Sequence, residues 1–204
     1  MTEPAEAWLA RLAGRLPGPL GHDLNNILAV LLGSLDLLDH QMERQDGAAP
    51  IRARTTRLRG AVTRASALAA ALTALAAASG PVDPNELLSR LLPLLAVAAG
   101  SRVRITPRFA ADLPAVAAEP VGLRAVLLAI AFGLRDAEIA AVTLEAAALP
   151  GALHLIWHGL PALPAAEADS IAAYLRAQNG RVALSADPPA VSLILPAGQC
   201  MAKA

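Results

Sequence analysis

Apolar residues in the first third of the chain recur at the spacing of a helical seam. After the breaker run at 17–19, leucines and one methionine follow each other at intervals of four and three residues, which is typical of a helix that packs along one stripe. They are Leu24, Leu28, Leu31, Leu35, Leu38 and Met42. The pattern predicts a helix over 20–44, a turn at 45–50 and a second helix over 51–79. We therefore expect an antiparallel helical hairpin, preceded by a short helix over 5–15.

A hairpin of two helices leaves half of such a seam in contact with water. Two copies of the chain would bury it by forming a four-helix bundle, in which each hairpin supplies two helices. The first part of the sequence therefore predicts a homodimer.

The pattern changes after the Pro- and Gly-containing segment at 80–84, where short apolar runs alternate with helical ones. Helices are predicted at 84–99, 119–137 and 166–178, and strands at 103–109, 142–147, 153–157, 181–185 and 191–195. We expect Pro93 to kink or shorten the first of these helices. The predicted fold class is α plus α/β, with a hairpin domain at 1–80 and an α/β sandwich with a mostly antiparallel sheet at 81–204.

Composition excludes several classes of function. The 204 residues carry a formal net charge of +0, which gives no basic surface for nucleic acid. The uncharged stretch at 65–80 is too short and too rich in alanine to cross a membrane, which needs about 20 apolar residues. The single cysteine, Cys200, cannot form an internal disulfide, which suits a reducing compartment. We expect a cytoplasmic protein that binds neither nucleic acid nor membrane.

One face of the first long helix, opposite the leucine seam, carries a histidine followed by small side chains. At 100° per residue this face contains His22, Asn26, Ala29, Gly33, Asp36 and His40. The small residues leave a shallow trough against which another protein could lie. Asp23 could accept a hydrogen bond from one ring nitrogen and fix the tautomer of His22. The helix positions alone favour an ordinary solvated histidine over a functional one.

The local sequence Gly-His-Asp-Leu-Asn-Asn-Ile-Leu at 21–28 changes that balance, because it resembles the H-box of histidine kinases. The resemblance implies that His22 is phosphorylated on Nε2. It also implies that Asp23 assists proton transfer and that Asn26 positions the hydrolytic water in phosphatase reactions. A helical hairpin that dimerises into a bundle is likewise what this family uses.

The second half resembles the ATP-binding domain of those kinases in pattern but not in chemistry. The helix at 123–137 aligns with the kinase N-box, in which Ala129 and Gly133 replace two asparagines, one of them a ligand of Mg²⁺. Trp157 stands where the kinases carry the aspartate that binds the adenine amino group. The glycine-rich lid is replaced by 164–169, which has no glycine. These departures predict that the chain binds neither ATP nor a metal ion.

A kinase-like bundle joined to a degenerate ATPase domain resembles the dimeric histidine phosphotransferases of the ChpT type. The resemblance implies a phosphotransferase without autokinase activity, which accepts a phosphoryl group on His22 from the receiver domain of a hybrid histidine kinase. The group would pass on to the receiver domain of a response regulator, and the receiver would supply the aspartate and the Mg²⁺. Three alternatives stay open: a histidine kinase with a divergent nucleotide site, a non-catalytic docking protein, and a phosphatase of receivers.

Other residues are assigned by their place in the hairpin. The candidates for partner contact are Ala29, Leu32 and Gly33 on the first helix and Leu68, Leu72 and Leu75 on the second. The arginines between Arg52 and Arg64 are expected to lie away from His22 on a solvated face. Arg135 is interpreted as a helix-end charge, and His154 and His158 as structural residues.

Overall fold

The computed structural model of the chain describes residues 3–44, 48–76, 83–116, 118–137 and 139–197. The side chains of residues 39 and 41–50 lie outside this description. The helices are α1 (Ala5–Ala13), α2 (Pro17–Arg44), α3 (Ala48–Ala76), α4 (Pro84–Ala99), α5 (Pro120–Asp136) and α6 (Ala168–Ala177). The strands are β1 (Arg104–Phe109), β2 (Ala141–Leu149), β3 (Ala152–His158), β4 (Arg181–Ala186) and β5 (Pro189–Pro196). The predicted fold class is confirmed.

Helices α2 and α3 form the predicted antiparallel hairpin. Ile27 of α2 is buried with Ala61 and Leu68 of α3, and this small core also includes Val97 of α4. Near the far end of the hairpin, the guanidinium group of Arg54 donates a hydrogen bond to the carbonyl oxygen of Leu37. Because Ile27 lies beside Leu68 while Leu37 lies beside Arg54, the two helices run in opposite directions.

The predicted leucine seam divides into two faces. Leu24 and Leu31 pack against the hairpin core, whereas Leu28 and Leu35 remain 52% and 48% exposed. The 4-3 spacing keeps these residues on one broad stripe, and α3 covers only one edge of it. The side chain of Met42, the last residue of the predicted seam, lies outside the described residues.

Helix α2 begins three residues earlier than predicted, and the Pro-Gly-Pro run at 17–19 forms its first turn. Pro17 and Pro19 are tolerated there because the first backbone N–H groups of a helix have no partner within the helix. His22 is consequently the sixth residue of α2 and lies in its second turn. A contribution of the helix dipole to anion binding at His22 is therefore smaller than the predicted start at residue 20 would give.

The remaining elements form a five-stranded mixed sheet backed by helices. The strand order is β1-β2-β3-β5-β4; β1 pairs parallel to β2, and the other pairs are antiparallel. Burial alternates along β2 and β3, so one face of the sheet packs against the helices. Helix α4 runs through Pro93 without being shortened. The predicted domain boundary at residue 80 lies outside the described residues.

The first helix packs against the α/β unit, although the sequence analysis grouped it with the hairpin. Helix α1 packs along α5 of the α/β unit, with Trp8 2% exposed and its ring centroid 6.4 Å from that of Tyr174 in α6. The contact of α1 with the α/β unit could not be detected from the sequence, because that contact joins residues far apart in the chain. Among the helices that the structure describes, none combines the length and apolarity needed to cross a bilayer.

Candidate functional site

His22 lies exposed on α2, and its ring is held by a residue one turn further along. Nδ1 of His22 lies 3.2 Å from the side-chain amide nitrogen of Asn26. The amide of Asn26 can also present its oxygen to Nδ1 after a 180° flip, since either ring tautomer has a matching amide orientation. With the proton on Nδ1 and the amide oxygen accepting it, Nε2 on the other side of the ring keeps a free lone pair. This arrangement leaves Nε2 available as a nucleophile.

Asp23 does not hold the ring, contrary to the prediction. Among the hydrogen bonds of the described residues, the side chain of His22 is bonded to Asn26 and not to Asp23. The reason is geometric: neighbouring residues on a helix point about 100° apart, whereas residues four apart lie one above the other. The role of Asp23 in proton transfer stays a prediction.

The predicted trough beside His22 is open along α2. Ala29 and Gly33 are exposed, Leu32 is 62% exposed, and a Cβ added to Gly33 would meet no heavy atom within 4 Å. The predicted contact residues on α3 are less exposed than those on α2. Leu68 and Leu75 are buried and Leu72 is half-buried, because α4 packs along this end of α3. Their side chains therefore build the core beneath the surface; docking at Ala29, Leu32 and Gly33 stays a prediction.

A cavity of about 800 Å³ opens beside His22, between the hairpin and the α/β unit. It is lined by the start of α2, the middle of α3, the last turns of α4, the turn before β1 and the end of α5. The titratable residues in the lining are His22, Asp23, Arg64 and Arg135. The cavity thus brings the candidate phosphoacceptor together with one carboxylate and two guanidinium groups.

The position of Arg64 corrects an expectation drawn from sequence, whereas Arg135 does lie in the last turn of α5. Arg64 was expected to lie away from His22, yet it precedes Leu68 by one helical turn, and both residues line the cavity. That spacing was the available signal, because Leu68 was itself predicted to lie near His22. Arg135 was interpreted as a helix-end charge. Nothing in the local sequence indicated that it would line the same cavity as His22.

Helix α5, which the sequence resemblance aligns with the kinase N-box, is enclosed by the rest of the chain. Every residue from Val121 to Phe132 is buried, so the helix is enclosed on all sides rather than on one. Ala129 has no exposed surface. A Cβ added to Gly133 would lie 2.1 Å from Cγ of Pro164, which is far closer than two carbon atoms that are not bonded to each other can approach. The segment that replaces the kinase lid therefore packs directly onto α5.

Trp157, which the sequence resemblance aligns with the adenine-binding aspartate, lies in the interior of the protein. Its side chain has no exposed surface, and within the described residues its Nε1 has no hydrogen-bond partner. The indole packs between the sheet and the helices as a core residue. An apolar ring that faces the core cannot present an acceptor to a purine amino group.

A buried carboxylate, that of Glu167, joins helix α1 to the segment before α6. Glu167 is 3% exposed and accepts hydrogen bonds from Nε1 of Trp8 at 2.8 Å and from the guanidinium group of Arg11 at 2.8 and 3.0 Å. The bond from Arg11 lowers the pKa of Glu167 below its ordinary value and outweighs the opposite effect of burial. Nearby, the guanidinium carbon of Arg15 lies 4.1 Å from the ring centre of Phe132 in α5.

The two histidines of β3 lie on the half-exposed face of the sheet. Nε2 of His158 is 3.0 Å from a carboxylate oxygen of Glu145, and Arg108 lies 3.8 Å from that oxygen. Burial lowers the pKa of His154. The described residues contain no group of three or more potential ligands that could hold a metal ion. A structural role for both histidines stays a prediction.

Neither a protein-family model nor a curated protein sequence matches this chain. Solved structures do. A bacterial phosphotransferase is 13% identical with a TM-score of 0.51, over 91% of this chain and 95% of its own. The Erythrobacter litoralis blue-light activated histidine kinase is 14% identical with a TM-score of 0.46, over 81% of this chain and 63% of its own. The histidine kinase domain of the Escherichia coli osmosensor EnvZ is 12% identical with a TM-score of 0.46, over 61% and 94%. At 13% identity, the likeness to the bacterial phosphotransferase shows the fold alone.

Proposed function

We propose that the chain is a histidine phosphotransferase of a two-component phosphorelay, of the dimeric ChpT type. His22 accepts a phosphoryl group from the aspartate of a hybrid kinase's receiver domain and passes it to the receiver domain of a response regulator, without ATP. The observation that carries the proposal is a contrast between two sites. The imidazole of His22 is exposed, held by Asn26 and open to a cavity, whereas the nucleotide face of α5 is filled by the chain's own residues.

The closed nucleotide face is the argument against a histidine kinase. A bound ATP would need the volume that Pro164 and α1 occupy against α5, and its Mg²⁺ would need a side-chain oxygen where Gly133 offers none. Phosphoryl transfer from a receiver needs neither, because the receiver brings its own aspartate and Mg²⁺. Catalysis would then consist mostly of holding Nε2 in line with the acyl phosphate. We propose that the protein acts in the cytoplasm with these partners and binds no cofactor itself.

The test is the mass of the intact protein after incubation with two donors. One sample contains Mg-ATP, and the other contains receiver domains charged with acetyl phosphate and freed of the excess reagent. We expect acid-labile phosphate only from the receivers, and complete loss of it in His22→Ala. His40→Ala is the matched control, because it removes an exposed histidine from the same helix face about 27 Å away.

Each other result selects an alternative. Phosphate on His22 from Mg-ATP alone would identify a histidine kinase with a divergent nucleotide site. Binding of receivers without phosphate on His22 would identify a non-catalytic docking protein. Phosphate lost equally in His22→Ala and His40→Ala would mean that the substitutions disturb the hairpin rather than the acceptor.

We propose that the chain is a homodimer whose interface includes the uncovered face of α2. Leu28 and Leu35 belong to the predicted seam, lie two helical turns apart on one stripe and are 52% and 48% exposed. Large apolar side chains clustered in this way on one helix are typical of an interface. A second hairpin laid against them would complete a four-helix bundle.

Leu28→Glu combined with Leu35→Glu is expected to dissociate the dimer. Burial of one leucine contributes about 2 kcal/mol, so the double change should raise the dissociation constant by at least about 100-fold. Light scattering over a concentration series measures this. Leu184→Glu is the control, since Leu184 is also 61% exposed but lies on β4. A wild-type chain that is monomeric at all accessible concentrations would refute the dimer.

A further inference from the structure

The cavity beside His22 contains two arginines that come from different parts of the fold. Arg64 lies on α3 of the hairpin, and Arg135 ends α5 of the α/β unit; both side chains are exposed. Some arginines have acidic partners within 4 Å, such as Arg11 with Glu167 and Arg90 with Glu86. In the part of the chain that the structure describes, Arg64 and Arg135 form no ion pair of this kind. The two positive charges are therefore available to an anion in the cavity.

The turn between α4 and β1 holds Arg135 at the cavity wall. Gly100 there has a φ of +87°, a conformation that side chains with a Cβ rarely adopt. A Cβ built on Gly100 would lie 3.7 Å from both Cγ and Nε of Arg135. The stem of Arg135 thus lies against the glycine backbone, at the same cavity as His22.

A negative charge also lines the cavity, and it opposes a phosphoryl group on His22. Asp23, half-buried beside His22, would repel a phosphoryl group on the neighbouring ring. A guanidinium group can neutralise such a group and form two parallel hydrogen bonds to its oxygens. Helix α2 offers little compensation of its own, since His22 lies beyond its first turn.

We propose that Arg64 and Arg135 bind the phosphoryl group carried by His22. The inference rests on the proposed function and adds a role for the degenerate ATPase-like unit, which supplies one of the two arginines. In the transfer, the lone pair of Nε2 attacks phosphorus as the P–O bond of the acyl phosphate breaks, and the receiver's carboxylate leaves. In the tautomer with the proton on Nδ1, that proton then passes to water, since His22 is exposed. The arginines touch the oxygens of the transferred group throughout.

The test uses a donor that needs no receiver. Phosphoramidate phosphorylates histidine directly, and ³¹P NMR follows both the amount of phosphohistidine and the pH titration of its phosphoryl group. Arg64→Gln and Arg135→Gln are each expected to slow phosphorylation of His22 about 10-fold, in line with the loss of one charged hydrogen bond. Each should also raise the pKa of the phosphoryl group, because a nearby cation favours its dianion. Lysine at either position should restore part of both effects.

Arg176→Gln is the matched control, because Arg176 is also an exposed arginine but lies on α6 away from the cavity. A titration that is the same in the two Gln variants and in the control would overturn the inference, even if the phosphorylation rate fell. Failure of His22 to react with phosphoramidate would overturn it as well. The proposed function is tested separately, since it fails if receivers do not phosphorylate His22 while phosphoramidate does.

Discussion

Gly133→Asn, which restores the kinase residue at this position, is expected to lower the free energy of unfolding by about 3 kcal/mol without creating an ATP site. The new Cβ would overlap the ring of Pro164, 2.1 Å from Cγ and 2.5 Å from Cβ. A proline ring cannot rotate away, so the segment before α6 must move. The asparagine amide would also enter an apolar region with no assured partner. Urea unfolding and calorimetric titration with Mg-ATP measure the two effects.

Gly60→Asn is the matched control for that substitution. Gly60 also lies inside a helix, but a Cβ there would meet no heavy atom within 4 Å. Its stability should change by less than about 0.5 kcal/mol, because asparagine and glycine differ little in helix propensity. Equal stability of the two variants, or Mg-ATP binding by Gly133→Asn, would mean that Pro164 does not close the nucleotide face.

The sequence predicts that nucleotide chemistry is lost, and this stays a prediction, but it did not indicate which segments pack onto α5. The substitutions at Ala129, Gly133 and Trp157 are local facts, and the helix that carries two of them was predicted almost to the residue. The contacts of Pro164 with Gly133 and of α1 with α5 join segments that no periodicity relates. They arise when the elements pack together, and a helix pattern contains no information on which neighbour covers it.

The same distinction applies at the candidate site. The pairing of His22 with Asn26 follows from their spacing of four residues on one helix, although Asp23 was the expected partner. Arg64 could have been placed by its one-turn distance from Leu68. Arg135 could not, because its approach to His22 depends on how the α/β unit lies against the hairpin.

Glu167→Gln is expected to lower the free energy of unfolding by about 2 kcal/mol at neutral pH, because it removes a buried charge that accepts from both Trp8 and Arg11. The pKa of Glu167 is lowered in the folded chain, from an ordinary value of 4.5. The carboxylate therefore stabilises the fold fully above pH of about 4.5, and this contribution is lost as the pH falls through the folded pKa. The difference between wild type and variant should shrink in the same interval.

Urea unfolding of both proteins between pH 7 and the acid limit of folding measures this difference. Glu86→Gln is the matched control: Glu86 pairs with Arg90 on an exposed face of α4, where an ion pair contributes little. It should change stability by less than about 0.5 kcal/mol at every pH. If Glu167→Gln changes the free energy of unfolding as little as Glu86→Gln, the carboxylate of Glu167 does not stabilise the packing of α1 against the α/β unit. If Glu167→Gln instead lowers the free energy of unfolding by the same amount at every pH, the effect arises from packing rather than from the charge.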